Sequence, residues 1–297
     1  MAETITLQRS RFDGERFRSY FSFYFYSNRR RLLLGASQIL IFSFLLTLFF
    51  FYTGGERGYQ IMMNPDFGYY DSSERIDVNS TDPFWGLESG LMIALSMLFM
   101  AFSGSWMFSA MSNKKNRLSV IEIPASQFEK FLTWWIIYLP MALLAMLACF
   151  WLTDLLRVIW IKIFSPYGNF AHLMPIKNIL ALDPINSAKD SLGISGVIYG
   201  MVISINALFA LGSILFHKLS FLKTVAACFI LLVVFTILYV LGLNTFFDGS
   251  VAGLSGRLDW DETQANVILG CVGAAFSIAV YWLCYARLKE EDIINRW

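Results

Sequence analysis

The feature that most constrains this chain is a recurring apolar run of about 20 residues with no charged side chain in its middle. The first such run is Leu32–Tyr52. A helix in water needs only one apolar face, whereas a segment apolar all round is solvated by protein or lipid. In lipid a helix satisfies its own backbone, so such a run is a membrane-spanning helix. The chain holds six, at about 32–52, 84–111, 131–153, 191–216, 221–243 and 265–285. Composition agrees: 57% of residues are hydrophobic and 15% charged, against about 45–50% and 25% in soluble domains. The expectation is an all-α integral membrane protein with six transmembrane helices over 32–285. Pro140 falls inside the third span and predicts a kink, with neighbouring helices satisfying the freed carbonyl.

The polar intervals alternate in charge. Residues 1–31 set Phe17, Tyr20, Phe21 and Tyr24 on one helical face and carry Arg16, Arg29, Arg30 and Arg31. That pattern predicts an interfacial amphipathic helix whose guanidinium groups sit near membrane lipid phosphates, with a disordered basic tail as the alternative. Residues 112–130 carry Lys114, Lys115, Arg117 and Lys130. Pro124 stops any helix arriving from before it, and Ser126 with Glu129 has the capping-box spacing that starts a new one. This elbow reads as a docking surface for a soluble partner; a solvated loop is the alternative. Residues 286–297 form a charged tail. Residues 53–83, 165–190 and 244–264 are loop-like, and the first and last of these are acidic. With six spans both termini share a side, and 16 of the 23 Lys and Arg fall on it. The positive-inside rule then places the N-terminus, the elbow and the C-terminus in the cytoplasm.

Chemistry is sparse. By these boundaries no acid, Lys, Arg or His lies mid-span, which speaks against an ion-coupled transporter or pump. Asp154, Arg157 and Lys162 follow the third span, and their segment reads as an interfacial continuation of it. There is no phosphate-binding loop of the G-x-x-x-x-G-K-[ST] type. The two histidines, His172 and His217, form no metalloprotease motif, and no serine nucleophile elbow appears. Cys149, Cys228, Cys271 and Cys284 lie in apolar runs and read as small buried hydrophobes, with no metal-site spacing. The chain is therefore expected to be no enzyme, with no catalytic, cofactor or metal residues and no nucleic-acid partner. Gly196 and Gly200 form a small-x-x-x-small pair that allows close helix packing.

The stretch Asn113-Lys114-Lys115, then Ile121-Glu122-Ile123-Pro124-Ala125-Ser126, then Glu129-Lys130-Phe131-Leu132 resembles the segment before the third helix in permease subunits of type-2 ABC exporters, particularly those of Bacteroidota. The basic-aromatic segment running through Asn28-Arg29-Arg30-Arg31 and the charged tail are similar too. The resemblance implies six spans, a cytoplasmic connecting helix at the N-terminus, and a coupling helix between spans two and three. It implies a second permease subunit, identical or not, and separate cytoplasmic ABC ATPase subunits that hold the ATP and Mg. It gives Glu122, Glu129 and Lys130 as candidate polar contacts to the ATPase and Phe128 as an apolar plug. The expected function is export of a hydrophobic or amphipathic substrate across a bacterial inner membrane. The alternative is a polytopic anchor or sensor that binds a cytoplasmic partner without transport.

Overall fold

The structure is a computed structural model and describes residues 12–63, 82–111, 123–181, 191–216, 219–246 and 262–294. Among them there is no strand; the fold is all-helical. The helices are α1 (Gly14–Phe50), α2 (Glu56–Met63), α3 (Trp85–Met107), α4 (Gln127–Ile136), α5 (Ala142–Phe164), α6 (Ile176–Ala181), α7 (Ser191–Leu215), α8 (Ser220–Phe246) and α9 (Glu262–Ile294). A π-helical turn, Phe51–Gly55, joins α1 to α2 and another, Ile137–Met141, joins α4 to α5. Among the described residues five stretches are long and apolar enough to cross a membrane: Gly14–Gln60, Trp85–Met107, Gln127–Phe164, Ile194–Leu215 and Asn266–Glu290. The apolar part found in α8, Ser220–Val234, is shorter.

Several boundaries differ from the sequence reading, and α2 and α6 lie in stretches read as loop-like. No break separates an interfacial helix from the first span near residue 31, because α1 is continuous from Gly14 to Phe50. Asp13 caps it by accepting the Glu15 N–H at 3.1 Å, and Gly35 is too isolated to stop it. At 37 residues and 1.5 Å per residue, α1 is about 55 Å long. That exceeds the bilayer core of about 30 Å, so its basic-aromatic half projects beyond the core. The segment with Asp154 and Arg157 does continue the third span, α5 carrying it in one helix to Phe164, but both side chains are buried and not interfacial. The charged tail is helical as well, since α9 continues to Ile294.

Pro140 sits in the second π turn. Its ring excludes the ordinary α hydrogen bond, and widening by one residue accommodates it. The Tyr138 carbonyl in this turn accepts from two neighbouring helices. Ser103 Oγ donates to it at 2.6 Å and Asn206 Nδ2 at 3.2 Å. Asn206 Nδ2 also donates to the Met100 carbonyl at 2.9 Å, and the Tyr281 hydroxyl donates to Asn206 Oδ1 at 2.6 Å. One buried amide thus ties α3, the π turn, α7 and α9 together in the bundle's centre.

Side-chain pairings fix the helix directions. Arg16 meets Glu129, Tyr24 meets Tyr138, Ser43 meets Thr153, and Tyr52 meets Trp160. So α1 runs parallel to α4–α5. On the other side Gly196 and Gly200 of α7 face Gly270 and Gly273 of α9, also parallel. A Cβ on Gly270 would lie 3.1 Å from the Gly196 carbonyl oxygen, and one on Gly200 would lie 3.2 Å from that of Gly270. Further along, Ser204 Oγ donates to the Gly273 carbonyl at 3.0 Å and pairs with Ser277 Oγ at 3.0 Å. Outside this framework the apolar side chains of α8 and α9 point outward, Phe229 and Leu231 of α8 being 67% and 65% exposed, as a lipid-facing surface requires. Of the cysteines, Cys149 and Cys284 are buried, Cys228 is half-buried and Cys271 is exposed on the bundle's outside.

Among the described residues the tightest approach of a helix to another's backbone is at Gly104 of α3, where an added Cβ would overlap the Asn206 carbonyl and lie 3.1 Å from the Ala210 N. Those atoms are backbone and cannot rotate away. Gly104→Ala is therefore expected to cost about 1–3 kcal/mol, the usual range for overpacking. Gly86→Ala, in open space on the same helix, should leave the melting temperature in detergent unchanged. Equal melting of the two variants would show that α3 and α7 separate freely.

Candidate functional site

The two ends of the bundle carry different chemistry. At one end α1 begins, α9 ends and the elbow feeds α4. Ser126 is the N-cap of α4: its Oγ accepts the Glu129 N–H at 3.2 Å, and Glu129 Oε2 accepts the Ser126 N–H at 2.9 Å. The same carboxylate also reaches α1. It accepts Arg16 Nε–H at 2.9 Å, Arg16 Nη2–H at 2.7 Å and the Asp13 N–H at 3.0 Å. Four donors saturate its two oxygens. The helix cap of α4 and the start of α1 thus share one ion.

Of the elbow residues singled out in the sequence, Glu129 and Lys130 are buried within the chain. Pro124 and Phe128 are exposed and Ser126 is half-buried. The Phe128 ring meets Phe12 and Tyr285 edge-on, with centroids 6.0 and 6.1 Å apart. Lys114, Lys115, Arg117 and Glu122 lie outside the described residues. In α1, Tyr20 and Tyr24 are buried and Phe17 and Phe21 half-buried, while Arg29, Arg30 and Arg31 are exposed. The aromatic side of α1 therefore packs on the bundle, Tyr24 against Trp134 and Tyr138. Between α1, α3, the second π turn and α5 lies a cavity of about 390 Å³. Its lining includes Phe25, Leu32, Phe99, Trp106 and Met141, together with Arg29. Its size is within the range of small-molecule pockets.

At the other end sits a cluster absent from the sequence reading. Arg157 of α5 is fully buried. Its Nη1 donates to Asp82 Oδ2 at 3.0 Å and to the Tyr59 hydroxyl at 3.1 Å. Its Nη2 donates to Asp154 Oδ1 at 2.7 Å and to the His172 carbonyl at 3.1 Å, and its Nε to Asp154 Oδ1 at 3.1 Å. The Phe84 ring lies under the guanidinium, 5.3 Å from centroid to Cζ. Asp82 also accepts from the Tyr59 hydroxyl, the Phe84 N–H and the His172 N–H, and Asp154 Oδ2 accepts the Met174 N–H at 2.7 Å. Glu88 of α3 completes the group, buried, with Oε2 3.1 Å from Arg157 Nε. His172 acts through its backbone, and the residue is otherwise exposed.

The sequence did hold a signal for this cluster. Asp154 and Arg157 are three apart and therefore on one helix face, inside a run otherwise as apolar as the span before it. Treating them as a span's end hid them. Asp82 and Glu88, also at a span's edge, are their partners.

These features define a class: a polytopic helical integral membrane protein with an ion-locked elbow at one end and a buried charge cluster at the other. Comparisons with protein-family models, curated proteins and solved structures find no match to this chain.

Proposed function

We propose that this chain is the membrane-spanning permease subunit of a type-2 ABC exporter in a bacterial inner membrane, driven by ATP hydrolysed with Mg on a separate cytoplasmic ATPase. The observation that carries the reading is the Glu129 junction. Force applied to the elbow enters α4 through its cap and α1 through Arg16 at once. A coupling element has to move helices rather than bend a loop, and this connection suits that task. The sequence also lacks a phosphate-binding loop, so work has to come from elsewhere.

Six spans with both termini inside fit the helix directions. Because α7 and α9 run parallel, the chain returns across the membrane between them. In this reading α8 makes that crossing: its 27 residues give about 40 Å of helix. A second permease subunit covers part of the outward apolar surface. The cavity beside Arg29 suits an amphipathic substrate, apolar along its length with an anionic group at the guanidinium.

The test is purification from native membranes in mild detergent. An ATPase with a phosphate loop is expected to co-purify with the wild type. It is expected to be lost from Lys114→Glu/Lys115→Glu, while that variant stays monodisperse and melts like the wild type. A complex whose ATPase is retained and fully stimulated in the charge-reversed protein would refute the docking assignment. A bound cytoplasmic protein with no nucleotide hydrolysis would favour the anchor or sensor reading.

A further inference from the structure

Two buried carboxylates in this molecule are treated in opposite ways. Glu129 receives four hydrogen bonds. Glu88, 1% exposed, receives none on either oxygen. A guanidinium has five N–H donors, and those of Arg157 are committed to Asp154 twice, Asp82, Tyr59 and His172. Glu88 Oε2 is close to Nε, but that single N–H is spent on Asp154. The cluster therefore sets three acids against one cation, with the third acid aimed into it and given no donor. Buried polar groups are almost always hydrogen-bonded, and a lone carboxylate out of water sheds its charge by binding a proton. A metal ion is a poorer fit: among the described residues no group of three or more His, Cys, Asp or Glu has the arrangement to hold one.

We propose that Glu88 is a proton-binding site, its carboxyl neutral at neutral pH and donating its hydrogen to the Asp154 carboxylate beside it. The groups that face it are Asp154 and Arg157 from α5 and Asp82 from the segment before α3, with Tyr59 of α2 bonded to Arg157 and Asp82 behind them. The proton removes one acid's charge from a cluster that holds three acids and a single cation. Proton loss returns an anion beside a guanidinium with no donor left, and so sets α3 against α5. The site stands whether or not the chain is a permease.

Infrared spectroscopy of the protein in lipid vesicles tests this directly. A protonated carboxyl C=O band is expected at neutral pH, absent from Glu88→Gln. In the wild type, glutamate labelled with 13C at the side-chain carboxyl should shift it and labelled aspartate should not, a readout that needs no substitution. Glu88→Gln, which keeps a neutral donor, should melt within a few degrees of wild type, whereas Asp154→Asn should melt far below it. An ionised Glu88 in the spectrum, or Glu88→Gln as damaging as Asp154→Asn, would overturn the proposal. So would a melting temperature that rises with sodium or potassium in the wild type but not in Glu88→Gln, since a metal cation would then hold the place of the proton.

Discussion

Arg157→Leu is expected to lower the stability of this protein more than any other single change at the buried cluster. Leucine fills part of the volume but leaves Asp82 and Asp154 facing each other, buried, without the cation that both contact. Removing one partner of a buried ion pair costs about 3–5 kcal/mol, and here one cation serves two acids. Four segments also lose their shared anchor: α2 through Tyr59, the entry to α3 through Asp82, α5 itself, and the 171–174 stretch through the His172 carbonyl. The measurement is thermal unfolding in detergent with size-exclusion as the check on assembly. The expected result is a melting temperature far below wild type, or protein recovered only as aggregate. The triple variant Arg157→Leu/Asp82→Asn/Asp154→Asn should recover part of the loss, because a cluster without charge needs no cation. An Arg157→Leu protein that melts like the wild type would mean the cluster contributes nothing.

How much of this was legible in the sequence depends on the range of the interaction. The helical class follows from the apolar runs, which report a solvent and not a fold. The start of α4 was legible because a capping box is local: Ser126 and Glu129 are three residues apart. The continuity of α1 was harder to read. The Arg29–Arg31 run marks where charge appears, and a helix does not end because its solvent changes. The link from Glu129 to Arg16 spans 113 positions, and no periodicity within either segment encodes it. The same holds for Asp82 and Arg157, 75 apart. The glycine seam was half legible: Gly196 and Gly200 announce a close approach, but Gly270 and Gly273, the backbone they meet, come from a helix that only the fold brings alongside. The pairing of unlike ends of the chain is what the sequence withheld, and both ion sites are made of it.

Glu129 is where the second large effect is expected. Glu129→Ala removes the acceptor of four donors at once and so undoes the α4 cap and the α1 contact together. Hydrogen bonds to a charged group are each worth about 1.5–3 kcal/mol net. Arg16 keeps some access to water, its side chain being 25% exposed, and recovers part of its share by turning outward. The Ser126 and Asp13 amides are left to find solvent. The loss should be graded. Glu129→Gln retains one oxygen and presents an amide N–H₂ to the remaining donors, so it falls between wild type and alanine. Glu129→Lys places a second cation against Arg16 in a site with no exposure and should be the most damaging. Hydrogen exchange gives the local readout: the amides of Asp13 and of the first turns of α1 should exchange faster in Glu129→Ala, while those around Asn206 stay protected. If the ion joins α1 to the elbow, that change is confined to one end of the bundle. Unchanged exchange at residues 13–20 in Glu129→Lys would show that α1 is held there by its aromatic face alone, through Tyr20, Tyr24 and Trp134. The elbow would then drive α4 without moving α1, and the argument that one push reaches both helices would fail.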